Sequence, residues 1–198
     1  MRAYLLTCAA RAALRAQTVR GLAGTDWGEP ARLFHNRSRL QPPYLRHLSG
    51  YARLLRRALD SDSAEHFLIL EDDLLFNRYL RHNLLAWEPL REGRIHLASL
   101  YDPGIGRLTN DPAGRWFTAD HTRVMGSQAF LISRPCATHL LAHWQEHPFH
   151  SDGRIAFLAA RLGPIYYHTP SLVQHIGTLS TWDGPPHVAY DFDPDFRA

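Results

Sequence analysis

Short apolar runs alternate along the chain with stretches whose apolar residues recur at helical spacing. A short run of large apolar residues is typical of a buried strand in an α/β sheet. The segment 44–59 shows the other pattern, an apolar stripe at Leu48, Ala52, Leu55 and Leu59. The predicted strands span residues 3–8, 32–35, 66–70, 95–101, 116–117, 129–132 and 165–167, and the predicted helices span 11–23, 44–59, 78–87, 133–147 and 152–162.

This alternation predicts an α/β protein with a mostly parallel central sheet and helices on both faces. We expect a single domain over residues 1–198, ending in a loop-like tail over 182–198 that is rich in Pro and Asp. Two long connections, over 102–127 and 170–190, are candidates for binding loops. Connections of that length are uncommon in compact domains unless they carry a function.

The composition restricts the possible functions of the protein more than it restricts the fold. The 198 residues have a net charge of only +3, too mild for a nucleic-acid binder, so we expect no nucleic-acid partner. All 22 basic residues are arginine, which excludes a Schiff-base lysine and the P-loop lysine. A phosphate group must therefore be held by arginine, backbone N–H groups or a metal ion.

The two cysteines, Cys8 and Cys136, indicate a reducing compartment. They are far apart and have no paired spacing, so neither a disulfide framework nor a zinc ribbon is expected. No segment approaches the roughly 18 apolar residues of a membrane span, so no transmembrane segment is predicted. We expect a cytoplasmic protein.

Three consecutive acids, Glu71, Asp72 and Asp73, follow the apolar run 66–70. Open α/β sheets bind ligands at the carboxyl ends of their strands. Acids packed there repel one another unless a cation lies among them, and hard divalent ions with diphosphate ligands prefer such oxygen clusters. The segment predicts a metal site that holds a nucleotide diphosphate; the alternative is a solvated acidic turn.

A second informative segment, 169–180, places His175 two residues before Gly177 and just after a predicted strand. An imidazole at such a position can reach a metal ion or a phosphate group. The alternative is a structural histidine that hydrogen-bonds a backbone carbonyl.

Taken together, these segments resemble a known enzyme group. Glu71-Asp72-Asp73 looks like the acidic DXD motif of GT-A glycosyltransferases, whose fold is Rossmann-like. The segment Pro170-Ser171-Leu172-Val173-Gln174-His175-Ile176-Gly177 is similar to the P-S-L-F-Q-H-V-G segment of the N-acetylglucosaminyltransferase IV family. Between them, 126–131 and His150-Ser151-Asp152 resemble that family's apolar strand and later acidic motif.

The resemblance implies a role for each matching residue. Asp73 and His175 would bind a divalent cation, Mn²⁺ or Mg²⁺, and Asp152 would deprotonate the acceptor hydroxyl. The implied reaction moves a sugar from a UDP-sugar donor to a hydroxyl of a glycan or other acceptor, with inversion. The donor-binding residues it implies are Thr7, Arg11, Glu71 and Asp72.

Asp152 could instead cap the helix predicted to follow it, because Asp is a favoured N-cap residue. A non-catalytic nucleotide- or sugar-binding module would need only the pocket. Sugar nucleotidylyltransferases are disfavoured, since their first loop is glycine-rich and the segment 7–11 contains no glycine.

The segment from His143 to His147 fits the H-x-x-E-H pattern of some zinc peptidases and lies on the predicted helix 133–147. Those enzymes use a further glutamate downstream, and no glutamate follows Glu146. A solvated helix face is the favoured interpretation. The arginines at 53, 56 and 57 are likewise interpreted as a solvent-exposed face.

Overall fold

The strands of the computed structural model form one large mixed sheet and a separate two-stranded ribbon. The structure describes residues 1–108, 114–147, 150–177 and 187–198. The strands are β1 (Arg2–Thr7), β2 (Arg32–His35), β3 (His66–Leu70), β4 (Leu74–Phe76), β5 (Leu97–Ser99), β6 (Trp116–Ala119), β7 (Ala129–Ser133), β8 (Ile165–His168) and β9 (Val173–His175). The large sheet has the order β2-β1-β3-β7-β5-β8-β6, and β4 pairs with β9.

Helices cover both faces of the large sheet. They are α1 (Ala12–Ala23), α2 (Pro43–Ser61), α3 (Leu80–Ala86), α4 (Glu88–Arg91), α5 (Arg134–Ala142) and α6 (Ser151–Ala159). Successive side chains of a strand point to opposite faces. In β3, Phe67 and Ile69 therefore pack with α2, α5 and α6, whereas Leu68 and Leu70 pack with α1 and α3. The predicted α/β fold class is confirmed.

The sheet is mostly parallel, as predicted, but two strands run the other way. Strand β1 pairs in parallel with β2 and β3, and β5 pairs in parallel with β8. Strand β7 runs antiparallel to both β3 and β5, and β6 runs antiparallel to β8. The carboxyl ends of β1, β3, β5 and β8 therefore lie at the same edge of the sheet as the amino end of β7.

Several predicted element bounds are wrong, and the ribbon was not predicted. The helix predicted over 152–162 is α6, Ser151–Ala159. Strand β5 covers only Leu97–Ser99 of the predicted 95–101, and α5 ends at Ala142 instead of continuing to His147. The turn after α5 allows Trp144 to be buried, 6% exposed, with its ring stacked 6.4 Å from that of Tyr51.

The part of the C-terminal tail that the structure describes, 187–198, has no helix or strand, yet it is anchored. The Asn77 side chain donates hydrogen bonds to the carbonyls of Asp193 (2.8 Å) and Phe196 (2.9 Å). The Ala198 N–H donates to Asn83 Oδ1 over 2.8 Å. Residues 182–186 of the predicted tail lie outside the described residues. Within the described part of the chain, none of the helices has the length and apolar character needed to cross a membrane.

Candidate active site

The acid cluster lies at the edge of the sheet where the parallel strands end. Glu71–Asp73 directly follows β3, and Thr7 is the last residue of the neighbouring strand β1. Asp72 and Asp73 are only 4% and 3% exposed. The Thr7 hydroxyl donates a hydrogen bond to Asp72 Oδ2. The alternative of a solvated acidic turn is thereby excluded for these two acids.

Arg11 holds the two aspartates together. It belongs to the short 3-10 turn Ala9–Arg11 between β1 and α1. Its Nε donates to Asp72 Oδ1 over 2.5 Å, and its Nη2 donates to Asp73 Oδ2. One guanidinium therefore bridges two buried carboxylates and offsets part of the repulsion between them.

His175 reaches the same cluster because the β4–β9 ribbon joins segments that are far apart in the chain. In the ribbon, Leu74 lies opposite His175, and the Ile176 N–H donates to the Asp73 carbonyl over 2.9 Å. This register places His175 Nε2 3.1 Å from Asp73 Oδ2. A side chain at Gly177 would not fit, since its Cβ would lie 2.6 Å from Asp73 Oδ2.

His187 in the C-terminal tail orients the His175 ring. The His175 Nδ1–H donates to the His187 carbonyl over 3.3 Å, and the two rings stack with centroids 4.8 Å apart. The His187 Nδ1 is in turn hydrogen-bonded to the Tyr101 hydroxyl, 2.6 Å away. A hydrogen bond at one imidazole nitrogen determines whether the other nitrogen carries a proton or can bind a metal ion. His175 therefore presents Nε2 to the acids.

Local charges set the protonation of the cluster. Burial lowers the pKa of His175, but the Asp73 carboxylate outweighs burial and raises the pKa above its ordinary value. Burial raises the pKa of Asp72, and hydrogen bonds from Thr7 and Arg11 only partly oppose that rise. In the free protein, the charge of Arg11 and a proton on His175 therefore stabilise the two aspartates.

Glu71, predicted to contact the donor together with Asp72, turns toward different partners. Its Oε1 accepts a hydrogen bond from the Ser127 hydroxyl over 2.6 Å and lies 3.5 Å from His47 Nε2. Burial raises the pKa of Glu71, but His47, Ser127 and the charge of His175 lower it to about 2. Glu71 is therefore an ionised carboxylate in a hydrogen-bonded network beside the Asp72–Asp73 pair.

Asp152 lies in the first turn of α6 and is not its N-cap. The helix begins at Ser151 and its N-cap is His150, so the alternative that Asp152 is the N-cap residue of this helix is wrong. Asp152 Oδ2 accepts the Gly126 N–H and Oδ1 accepts the Gly153 N–H, both over 2.9 Å. Gly126 precedes Ser127, which places Asp152 next to the Glu71 network.

Sequence reasoning missed four residues of this region: His47, Tyr101, Ser127 and His187. His47 lies one helical turn before the fully buried Tyr51 on α2. A polar residue in line with the buried stripe was a usable signal. Its Nδ1 is hydrogen-bonded to Ser151 Oγ, 2.7 Å away, so it connects α6 to Glu71. For Tyr101 and His187 the sequence contains no such signal, because only the folded tail brings them together.

The side chains at Asp73 and His175 fit a divalent cation. Asp73 Oδ1 is buried and has no hydrogen-bond partner among the described residues, and His175 Nε2 lies beside the same carboxylate. A carboxylate oxygen with an imidazole nitrogen is a suitable donor pair for Mn²⁺. Within the described residues, however, no three His, Cys, Asp or Glu side chains form a ready cage. The remaining ligands must then come from phosphate oxygens and water.

The H-x-x-E-H segment does not have the geometry of a zinc peptidase. His143 follows the end of α5, so the predicted helical placement of His143 and His147 on one face is wrong. Glu146 is engaged by the His143 ring and by Arg161, whose Nη1 donates to Glu146 Oε2 over 2.6 Å. These contacts are those of a surface ion-pair network.

No protein-family model matches the sequence, and the curated proteins contain no match to it. Several solved structures resemble the fold. A197 from STIV superposes with a TM-score of 0.55 at 11% sequence identity, over 91% of this chain and 87% of that chain. At such low identity the likeness extends to the fold alone.

Glycosyltransferases are among the weaker structural matches. The galactosyltransferase LgtC, in complex with donor and acceptor sugar analogs, has a TM-score of 0.47 at 16% identity, over 84% of this chain and 73% of that chain. A glycosyltransferase involved in the glycosylation of the major capsid of PBCV-1 has a TM-score of 0.45 at 13% identity, over 86% and 83% of the two chains. Neither likeness is strong enough to assign an activity. The resemblance to the N-acetylglucosaminyltransferase IV family is not confirmed.

Proposed function

We propose that the chain is a GT-A glycosyltransferase that uses a divalent cation and a UDP-sugar donor to glycosylate a hydroxyl of a glycan or other acceptor. The observation that carries this proposal is the convergence of Thr7, Arg11, Asp72, Asp73 and His175 at the carboxyl edge of the sheet. Ligands of open α/β sheets bind at that edge. With no lysine in the chain, these groups are well suited to a diphosphate.

Asp73 and His175 would hold the cation, Mn²⁺ or Mg²⁺, which supplies positive charge as the diphosphate leaves. His175 must give up its Nε2 proton to act as a ligand. Arg11 must release Asp73, and its guanidinium can then contact phosphate oxygens. Thr7 and Asp72 would hold the nucleotide end of the donor.

Asp152 would act as the base that accepts the proton of the attacking hydroxyl. The N–H groups of Gly126 and Gly153 fix the orientation of its carboxylate. A base of this kind is required by direct displacement, and inversion is the outcome that the family resemblance implies. A cytoplasmic location, expected from the isolated cysteines Cys8 and Cys136, belongs to the same proposal; neither cysteine forms a disulfide.

Calorimetric titration with UDP tests the donor and cation together. Wild-type protein should bind UDP in Mn²⁺ at least about tenfold more tightly than in EDTA, because the diphosphate and the two aspartates need a shared cation. Asp73→Asn should lose this difference. The matched control is Asp195→Asn, which removes a 63% exposed carboxylate whose ion pair, within the described residues, is with the exposed Arg78 alone. Equal UDP affinity in Mn²⁺ and in EDTA would refute the cation's role.

One observation favours a second candidate, a non-catalytic module that binds a nucleotide sugar. Both carboxylate oxygens of Asp152 accept backbone N–H groups, a pattern that also suits a purely structural aspartate. The two functions differ in turnover, because a module binds the donor without transferring its sugar.

A further inference from the structure

A cleft whose lining includes none of the acid-cluster residues lies between α2, α6 and the turn that follows α5. It has a volume of about 390 Å³, within the range of small-molecule sites. Leu45, Leu48 and Trp144 supply apolar surface, and Arg53, Arg56 and Arg154 supply positive charge. None of the described residues that line the cleft is acidic. The cleft therefore combines an apolar lining with three cations that its own walls do not neutralise.

Arg154 is the unusual member of this lining. It is only 8% exposed, although long cationic side chains are seldom buried without a partner. Its Nη1 donates to the Trp144 carbonyl over 2.8 Å, and its guanidinium lies 5.6 Å from the centroid of the Trp144 ring. Its Nε is buried with no hydrogen-bond partner, and among the described residues no carboxylate forms an ion pair with it. Burial lowers its pKa, as expected for an uncompensated cation.

The other two arginines are also without carboxylate partners in the described part of the chain. Where the structure describes its partners, Arg53 donates to neutral acceptors, the Ser49 carbonyl (3.2 Å) and Asn36 Oδ1 (2.8 Å). Arg56 is exposed on α2 and lines the same cleft. Arg57, the next residue, is exposed but does not line it. The predicted solvent-exposed face of three arginines on α2 thus describes Arg57 fully. Arg53 and Arg56 are exposed as well, but they also line the cleft.

We propose that this cleft binds a phosphate monoester on an apolar chain, with the phosphate on Arg53, Arg56 and Arg154 and the chain on Leu45, Leu48 and Trp144. Guanidinium groups bind phosphate oxygens in pairs, and three of them suit a dianion. A neutral ligand would leave the Arg154 guanidinium uncompensated, and inorganic phosphate would leave the apolar lining in water. A concave site of this volume fits one amphiphile better than the flat surface of a bilayer.

This site is separate from the proposed donor site and does not depend on it. Its lining contains none of the residues of the acid cluster, although the same helices connect the two regions. His47 of α2 contacts Ser151 of α6, and His47 also approaches Glu71. The cleft can therefore be tested without any assumption about glycosyl transfer.

The test is calorimetric titration with octyl phosphate below its micelle concentration, alongside inorganic phosphate, octanol and vesicles of anionic lipid. Wild-type protein should bind octyl phosphate at least about tenfold more tightly than inorganic phosphate or octanol, since either comparison removes one half of the interaction. Arg56→Gln should weaken octyl phosphate binding by roughly tenfold, as expected when one charge-assisted hydrogen bond is lost. Arg57→Gln is the matched control and should bind like wild type.

Arg154→Met separates a ligand site from a structural arginine. We expect it to abolish octyl phosphate binding while its melting temperature without ligand equals or exceeds that of wild type, because an uncompensated buried cation is replaced by an apolar side chain. Undiminished binding by Arg154→Met or Arg56→Gln would overturn the proposal. Equal losses in Arg56→Gln and Arg57→Gln would also overturn it, as would binding to vesicles but not to monomeric octyl phosphate. If Arg154→Met does not fold, Arg56→Gln against Arg57→Gln decides the outcome.

Discussion

Replacing Arg11 by glutamine should make the protein less stable but a better binder of free Mn²⁺. In the folded chain the Arg11 guanidinium bonds both Asp72 and Asp73 and thus occupies the position where a cation is needed. A metal ion must displace it, so Arg11 and the cation compete for the same carboxylates. Arg11→Gln removes the competitor and leaves both acids in place.

The loss of stability can be sized from burial. Removing one partner of a buried ion pair costs about 3–5 kcal/mol. The Arg11 side chain is 20% exposed, and Thr7 and His175 still contact the acids, so we expect a loss near the lower end, about 3 kcal/mol. For a chain of 198 residues, this lowers the melting temperature by roughly 6–12 °C. Mn²⁺ at about a hundred times its Kd should raise the free energy of unfolding by about 2.7 kcal/mol.

The assay is a melting curve in EDTA and in increasing Mn²⁺, with the Mn²⁺ Kd measured by calorimetry without nucleotide. Arg11→Gln should melt below wild type in EDTA, bind Mn²⁺ at least about tenfold more tightly, and regain most of the lost stability at saturation. With Mn²⁺ saturating, its affinity for UDP should fall, because a guanidinium that could contact phosphate is missing. Arg15→Gln is the control, since Arg15 contacts Thr7 and the Cys8 carbonyl but neither aspartate.

Two results would refute this reasoning. If Arg11→Gln bound Mn²⁺ no more tightly than wild type, Arg11 would not be competing with a cation. If its melting temperature did not respond to Mn²⁺ although the protein was folded, the acids would be a structural ion-pair site. The same behaviour in Arg15→Gln would show that the effect is not specific to the arginine that contacts the two aspartates.

Three further variants test the remaining roles. His175→Ala should weaken Mn²⁺-dependent UDP binding by roughly tenfold or more with the fold intact; normal binding with a much lower melting temperature would mark His175 as structural. Asp152→Asn should bind UDP and Mn²⁺ like wild type but transfer sugar about 10²–10⁴-fold more slowly, whereas near-normal transfer would place the base elsewhere. A double His143→Ala and His147→Ala variant should keep its activity, and a loss of bound zinc in that variant would revive the peptidase interpretation.

The sequence predicted the parts of the fold that depend on local pattern. The apolar run 66–70 became the buried central strand β3, and the periodic stretch 44–59 became α2. The acids after β3 could be assigned to a binding site, because open α/β sheets in general bind ligands at the carboxyl ends of their strands. The antiparallel direction of β7 could not be predicted, since a fully buried strand has the same apolar pattern in either direction.

Contacts made by the tail and by the ribbon were out of reach for a different reason. Asp73 and His175 are 102 residues apart, and only the pairing of β4 with β9 brings them together. Each of these strands has three residues, too few for any period to be recognised. The position of His187 depends in addition on how the C-terminal tail packs against His175 and Tyr101. The family resemblance, not periodicity, linked the acids to His175 before the structure did.

The geometry of the ribbon gives the strongest physical argument that the acid cluster binds a ligand. Asp73 is nearly inaccessible to solvent, yet its Oδ1 has no hydrogen-bond partner among the described residues. Leaving a buried polar atom unpaired costs about 1–3 kcal/mol, and more when the group is charged. An aspartate that served only the fold would be more stable with a hydrogen-bond donor at that oxygen. Local arrangements that lower the stability of the free protein tend to occur at functional sites. A cation at Asp73 and His175 would satisfy the unpaired oxygen and convert that cost into binding free energy.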